Sequence, residues 1–486
     1  MNSIIKNIFY LIILILICGC GSTIKDSVEP LSSTTKNYYS FWKPLKTSEI
    51  VTSKTCAPLF PENFSISEKL TLAEVIDITL VNNPDTKITW EEARRAASLY
   101  GESLSDYYPE INFDTTQTRE RESTFATSPG IAPFIDIYRR TITTPEANLS
   151  YTIYDFGQRK YTSDSARYSL FYANRMQNQE IQTIMKSVMD DYYDYQYQKE
   201  ALYATESDLE NAQTALDAAN VKFTAGLAAI GDIAQAKTTY LQTKLNLIDQ
   251  TQSVETSYVT LLNNMGLPAN IKINFVDFPE DILVKEMMES LQKLLNKSLK
   301  KRQDLLAKKD TAESNLSRVK LYQAKELPKI GGTFNFGRSY YDWKYHDDYH
   351  WVLQFRLSFP LFKGFFYKNQ IKQAKADYNK AKAEIIQKEL IVIKEVTNSH
   401  FLVNTSAKTV KYSTDYLQTA EVRFNIALAN YKAGTNTILD VLAAQSSLAD
   451  ARAKNARAKK LWYTSLADLA YSTGSLCSGF EKKDCI

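Results

Sequence analysis

The sequence predicts a mainly α-helical chain with a membrane β-barrel portion, built as a two-fold internal repeat whose strands are completed by further copies of the chain. Three observations predict it. Residues 158–225 and 365–433 contain neither glycine nor proline. At about 1.5 Å per residue each run makes a helix of about 100 Å, which does not fit inside a compact domain and implies an elongated architecture. The two runs end in nearly the same phrase, Phe223-Thr-Ala-Gly226-Leu-Ala-Ala-Ile-Gly-Asp232 and Tyr431-Lys-Ala-Gly434-Thr-Asn-Thr-Ile-Leu-Asp440, with both the glycines and the aspartates 208 positions apart. A fixed offset over that distance marks a duplicated structural unit. Finally, every second residue is apolar in Trp351, Leu353, Phe355, Leu357, Phe359 and in Ala147, Leu149, Tyr151, Ile153, the period of a strand with one greasy face.

Taken in order, the elements begin with Lys6 and an apolar run, residues 8–17. The run is shorter than the roughly 20 residues a membrane-spanning helix needs, and residues 1–19 read as a secretory signal. Ile17-Cys18-Gly19-Cys20 resembles a bacterial lipobox, in which the last cysteine is acylated, with palmitate among its chains, and becomes the first residue. Gly21 after it suggests sorting to the outer membrane, and ordinary cleavage without a lipid is the alternative. Residues 20–70, rich in Ser, Thr, Lys and Pro, read as an extended arm.

The first repeat then covers 71–266: a helix near 72–106 stopped by Pro109, strands near 109–156, the long helix 158–225, a glycine turn and a return helix 232–264. A linker, 267–287, leads to the second repeat, 288–474: a helix near 288–325 stopped before Pro328, strands near 329–361, the long helix 365–433 and a return helix 440–472. A tail, 475–486, closes the chain. Upstream matches, Tyr108-Pro109-Glu-Ile111 with Leu327-Pro328-Lys-Ile330 and Asn83-Pro-Asp85 with Arg302-Gln-Asp304, keep an offset of 219. The first copy therefore carries an 11-residue insert between Pro109 and Leu149.

Four strands cannot close a barrel, since about eight is the smallest known. An open sheet in lipid leaves edge groups unsatisfied at several kcal/mol each. Two, three or four copies of the chain would satisfy them. The second long helix carries a seam of seven-residue spacing, Ile371, Tyr378, Ile385, Val392 and then Val396, Val403, Val410, Leu417, Phe424, Tyr431. Small residues, Ser399, Ser406, Ser413, Ala420 and Ala427, follow most of the second row by three. Large and small residues alternating on a heptad mesh neighbouring helices knobs into holes.

Composition narrows the function classes. The 58 basic and 55 acidic residues nearly balance, and removing residues 1–19 takes away only Lys6, so no nucleic-acid partner is expected. The chain has three histidines, His346, His350 and His400. The first two fall in a loop expected between strands, and neither they nor the cysteines have metal-ligand spacing. No phosphate-cradling loop or nucleophile motif occurs, so no cofactor and no enzyme activity is expected. In an oxidising compartment Cys477–Cys485 is the first candidate for a disulfide, with Cys56 able to pair with either.

From about residue 70 to 475, and most specifically in the two tip phrases, the chain resembles the TolC-like outer-membrane efflux protein family. The resemblance implies a homotrimer in which three chains build a 12-stranded barrel in the outer membrane, with an α-helical cylinder crossing the periplasm. It implies an export channel for small molecules or, in type I secretion, proteins, fed by an inner-membrane RND or ABC pump through a periplasmic adaptor. By the same likeness, Ala225-Gly226-Leu227 and Ala433-Gly434-Thr435 are the adaptor-docking tips. Asp232, Tyr431 and Asn436 latch the periplasmic entrance, Asn436 standing where some members have Arg, and Asp440 rings its narrowest point. Helix capping is the competing role for Asp232 and Asp440. A lipid-anchored helical scaffold or adhesin without conduction is the alternative from a different class.

Overall fold

The computed structural model describes residues 69–128, 130–278, 289–342 and 348–476. The expected signal peptide, Cys20, the arm to residue 68 with Cys56, linker residues 279–287 with residue 288 of the second repeat, His346 and the Cys477–Cys485 pair lie outside the described residues. In chain order the elements are β1 (Lys69–Leu70), α1 (Leu72–Asn82), α2 (Pro84–Leu104), β2 (Glu110–Ser128), β3 (Ile131–Tyr154), α3 (Gln158–Thr224), α4 (Ile230–Asn264), β4 (Asn274–Phe275), α5 (Leu291–Lys301), α6 (Gln303–Ala324), β5 (Lys329–Tyr341), β6 (Asp348–Ser358), α7 (Phe366–Ala433) and α8 (Ile438–Ser472). The glycine- and proline-free runs are single helices of 67 and 68 residues. Among the described residues no helix is long and apolar enough to cross a membrane.

The chain divides into two compact units, one formed by residues 93–173 and 308–385 and the other by 69–92, 174–307 and 386–476. The first holds an antiparallel sheet in the order β2-β3-β5-β6, so the two hairpins pair through β3 and β5. The register sorts side chains onto two faces. Ile111–Leu149–Phe334–Leu353 and Phe113–Ala147–Phe336–Trp351 form apolar rows on one. Asn112–Asn148–Asn335 and Asp114–Glu146–Gly337–His350 lie on the other. The apolar side is open: Phe113 is 73% exposed and Trp351 62%. His350, expected in the loop, lies in β6 because that strand begins at Asp348, and its Nε2 is 4.0 Å from Glu146 Oε1. Where each hairpin joins its long helix, Phe156 and Phe365 hold left-handed backbone at φ 53° and 61°, a conformation uncommon outside glycine.

The second unit holds most of the packed core. The second row of the α7 seam is buried as its spacing predicts, apart from the half-buried Leu417. Val396, Val403 and Val410 pack with Val392, the last residue of the first row, and with Ala458, Trp462 and Leu469 of α8. Phe424 and Tyr431 pack with Ile438, Val441 and Leu448, and with Ala215, Ala219 and Ala236 of the other hairpin. The small residues work as holes: the Ser406 and Ser465 hydroxyls meet at 2.8 Å, both fully buried. The first row differs. Ile371, Tyr378 and Ile385 are half-buried, and Ala374 and Ala381 are the buried positions of that stretch.

Two expected helices are each broken in two, and the breaks are the same joint built twice. Asn83 and Arg302 both adopt extended backbone (ψ 125° and 119°). Pro84 forces the first break, since the residue before a proline is pushed out of the helical region. No proline follows Arg302, and its buried guanidinium instead bonds Asp304 and Glu395, each at 2.5 Å, and the Ser472 carbonyl at 3.3 Å. The Asn83 amide likewise donates to the Asn264 carbonyl at 2.8 Å. Against these joints sit Gly266 and Gly474, left-handed at φ 72° and 67°. A Cβ on Gly266 would lie 2.6 Å from the Asn82 carbonyl oxygen, so glycine is required by both sterics and backbone conformation. The parallel β1–β4 pair, Lys69 with Asn274 and Leu70 with Phe275, ties the end of the arm to the linker.

Gly266→Ala should therefore destabilise the fold by about 2–4 kcal/mol, from left-handed strain plus overpacking. Gly101→Ala, in α2 with nothing within 4 Å of the new carbon, should stabilise it by about 0.5–1 kcal/mol. Melting midpoints of the two variants moving in opposite directions would bear this out.

Candidate functional site

The two helical hairpin tips, both in the second unit, carry the predicted site residues. The first joins α3 to α4 through residues 225–229 and the second joins α7 to α8 through 434–437. Each long helix is closed by the same pair of bonds. The Leu227 N–H donates to the Lys222 carbonyl (2.8 Å) and the Gly226 N–H to Phe223 (2.9 Å). Thr435 donates to Asn430 and Gly434 to Tyr431, both at 3.0 Å. This is the helix end that needs a left-handed residue, and Gly226 and Gly434 supply it at φ 73° and 87°. A Cβ on either would meet nothing within 4 Å. The turn asks for glycine, and the space beside it is open.

The return helices start two residues before the expected positions because their caps lie further back. Thr437 caps α8 in a closed box: its N–H and hydroxyl donate to Asp440 Oδ2 at 2.9 and 2.8 Å, and the Asp440 N–H returns to the hydroxyl at 3.4 Å. Asp440 is thus the third helical residue and the acidic half of a capping box. The Thr437 hydroxyl foremost, then the Thr437 backbone, holds its carboxyl below the ordinary value. Its side chain is exposed. In the first tip the cap is Ala229, which has no side-chain oxygen. Asp232 occupies the place equivalent to Asp440 with no hydroxyl to close on.

Asp232 lies within electrostatic reach of Tyr431 on the other hairpin instead. Tyr431 is 2% exposed, and burial, followed by the negative charge of Asp232, raises its phenol above the ordinary value. Lys222 Nζ lies 4.1 Å from the Tyr431 ring centroid. The Tyr431 hydroxyl is buried with no hydrogen-bond partner among the described residues, a state that costs about 1–3 kcal/mol unless something else satisfies it. The structure brings together Tyr431 and Asp232, while Asn436 is half-buried and Asp440 stays on its own helix end. Lys222 and Thr437 were not among the expected site residues. The Thr437-x-x-Asp440 spacing could have revealed the box. Nothing local reveals that Lys222 meets a ring on the other hairpin.

The turns also present apolar side chains to solvent, Leu227 (76% exposed), Ile230 (74%) and Leu439 (62%).

Comparison with known proteins follows the same two repeats. The profile of the "Outer membrane efflux protein" family matches residues 75–267 and 294–475. The chain is 24% identical over 311 residues to outer membrane protein TolC of Salmonella enteritidis, covering 61% of this chain and 62% of that one, just under two thirds of its length. It is 24% identical over 391 residues to the pyoverdine export outer membrane protein OpmQ of Pseudomonas putida, covering 79% and 82%. The crystal structure of the Campylobacter jejuni CmeC outer membrane channel shares the fold at a TM-score of 0.74 and 16% identity, over 84% of this chain and 87% of that one. With both halves matched by one profile and the same strands and helices in the channel fold, the chain belongs to the outer membrane efflux protein family.

Proposed function

We propose that three copies of this chain form an outer-membrane exit duct for a tripartite export system, receiving cargo from an inner-membrane RND or ABC pump through a periplasmic adaptor. The observation that carries this reading is the two-faced sheet of β2, β3, β5 and β6, apolar and exposed on one side, with β2 and β6 at open edges. In hydrocarbon such edges must be paired. Sister copies pairing β2 to β6 close the sheet, with the rows of Asn112, Asn148 and Asn335 and of Asp114, Glu146 and His350 lining the lumen. Twelve strands from three chains fit the even-numbered barrels of this membrane. Exposed apolar stripes on the helices, Leu241, Leu245 and Ile248 on α4 and Ile386, Leu390 and Phe401 on α7, supply further surface for the same neighbours.

In this reading the chain performs no catalysis and the energy is supplied elsewhere. Cys20 carries the lipid that helps anchor it. The tips at Ala225-Gly226-Leu227 and Ala433-Gly434-Thr435 receive the adaptor, their glycine turns leaving room for a partner's backbone. Tyr431 and Asp232, with Asn436, latch the closed entrance, and the buried Tyr431 hydroxyl is the group that a neighbouring helix would satisfy. Asp440, its carboxyl kept ionised by Thr437, gives a ring of negative charge that favours cations.

Planar-bilayer recording tests this directly. Purified protein should conduct with cation preference, and Asp440→Asn should move the reversal potential in a salt gradient toward zero. Because its bonds to Thr437 depress the carboxyl's pKa, the wild-type preference should persist on acidification to about pH 4, the ordinary carboxylate value. An absence of current, even when the tips are loosened, would instead support the scaffold. Tyr431→Phe should raise the open fraction with little change in melting, since its hydroxyl makes no bond to the described residues of its own chain. Equal open fractions would remove it from the latch. Gly434→Trp should abolish export in cells while the trimer still assembles; normal export would remove that turn from adaptor docking.

A further inference from the structure

The first hairpin outgrows the sheet. β2 and β3 have 19 and 24 residues against 13 and 11 in β5 and β6, where about 9–11 suffice to span a membrane. The β3–β5 pairing ends at Ile142–Tyr341, so residues 118–141 continue as a two-stranded ribbon on the side away from the helices. This is where the 11-residue insert of the first copy goes.

The ribbon continues the faces of the sheet. On the apolar side, beyond the row of Phe113, Phe336 and Trp351, Arg338 sits between the rings of Tyr340 and Tyr349, its Cζ 4.9 Å from each centroid. Aromatic residues at that level mark the boundary of a lipid-facing band. Two rows further along the same face come Arg119, then Arg121 directly across from Arg139. All three are exposed. Like charges directly opposite on a sheet destabilise it, yet among the described residues neither Arg121 nor Arg139 has an ion-pair or hydrogen-bond partner. Asp342, whose N–H donates to the Thr141 carbonyl at 3.2 Å, lies within electrostatic reach of Arg119. Farther out on this face, Phe125 (75% exposed), Ile135 and Ile137 are open as well. The opposite face differs in kind: Arg140 there is paired with Glu120.

We propose that the outward face of this ribbon binds the phosphates of anionic lipid headgroups in the outer leaflet, through Arg119, Arg121 and Arg139. The proposal rests on the channel reading, which places that face against lipid. Three observations choose the occupant. The arginines continue a lipid-facing apolar band beyond its aromatic boundary, at the level where headgroups lie. A phosphate between Arg121 and Arg139 turns their repulsion into bidentate charge-assisted hydrogen bonding. The mixture of arginine with Phe125, Ile135 and Ile137 on one face has the composition of surfaces that lie on anionic membranes. The lipid would orient the mouth of the duct and hold the ribbon down against the leaflet.

The test uses the full-length assembly in detergent, titrated with lipid A, which carries two phosphomonoesters, and followed by native mass spectrometry. Lipid A should bind in preference to phosphatidylcholine, and the double variant Arg121→Gln/Arg139→Gln should bind it about tenfold more weakly, two surface arginines each contributing modestly. Arg140→Gln with Glu120→Gln, on the other face, should bind as the wild type does. The lipid-free double variant should melt no lower than the wild type, because the substitution removes a like-charge pair. Equal lipid A affinity of the wild type and the double variant overturns the proposal, as does full displacement of lipid A by millimolar inorganic phosphate, the mark of a free-anion site. A protein that inserts and conducts but shows either result loses this inference alone. One that neither trimerises nor inserts loses the channel reading and this inference with it.

Discussion

A strand edge cannot be left bare in hydrocarbon. Each unpaired N–H or C=O there costs several kcal/mol, and the sheet β2-β3-β5-β6 presents two such edges together with an apolar face that no segment of its own chain covers among the described residues. The rest of the molecule is organised around that deficit. Two hairpins from two repeats pair through β3 and β5, so one chain already contributes twice what one repeat could. The helices carry no membrane-spanning stretch among the described residues, while the strands present an exposed apolar face.

The duplication reaches details that carry energy. Four helix ends close with the same pair of bonds around a left-handed glycine, at Gly226, Gly266, Gly434 and Gly474. The broken helices repeat as well: the Asn83 side chain donates to the Asn264 carbonyl and the Arg302 side chain to that of Ser472, the equivalent residue. One joint uses a neutral amide and a proline. The other uses a buried cation that two carboxylates neutralise. A buried guanidinium is tolerated only when paired, and Asp304 and Glu395 meet that condition.

The long helices, the repeat offset, the alternating strands and the second row of the α7 seam were legible because each depends on periodicity or on the absence of breakers over many residues. The breaks at Asn83 and Arg302 were not. Pro84 is a local signal for the first, since the residue before a proline is pushed out of the helical region. The second has no proline, and two of the partners that hold the Arg302 guanidinium, Glu395 and the Ser472 carbonyl, are 93 and 170 residues away. The tip glycines and their turns were plain in the sequence, yet the division of labour between the two aspartates was not. It turns on whether residue 229 or 437 offers a hydroxyl, and on the charge of Asp232 acting on Tyr431 of a different hairpin.

That division points to how a duplicated chain acquires a site. Where the two copies agree, at the glycines, the joints and the strand pairing, the shared feature is structural, and either copy would fold with it. Where equivalent positions differ, the polar groups of the tips appear. Phe223 corresponds to Tyr431, Ala228 to Asn436 and Ala229 to Thr437. Phe223 is 41% exposed, whereas Tyr431 is buried with an unsatisfied hydroxyl. Thr437 takes the carboxylate of Asp440 into a cap, while Ala229 leaves that of Asp232 available. The added length of the first hairpin is a third divergence, and it brings Arg119, Arg121 and Arg139 beyond the sheet. Positions held in common cannot distinguish one hairpin from the other. The aspartates at 232 and 440 are shared, so the difference between the tips comes from the residues around them that the copies do not share, Tyr431 against Phe223 and Thr437 against Ala229.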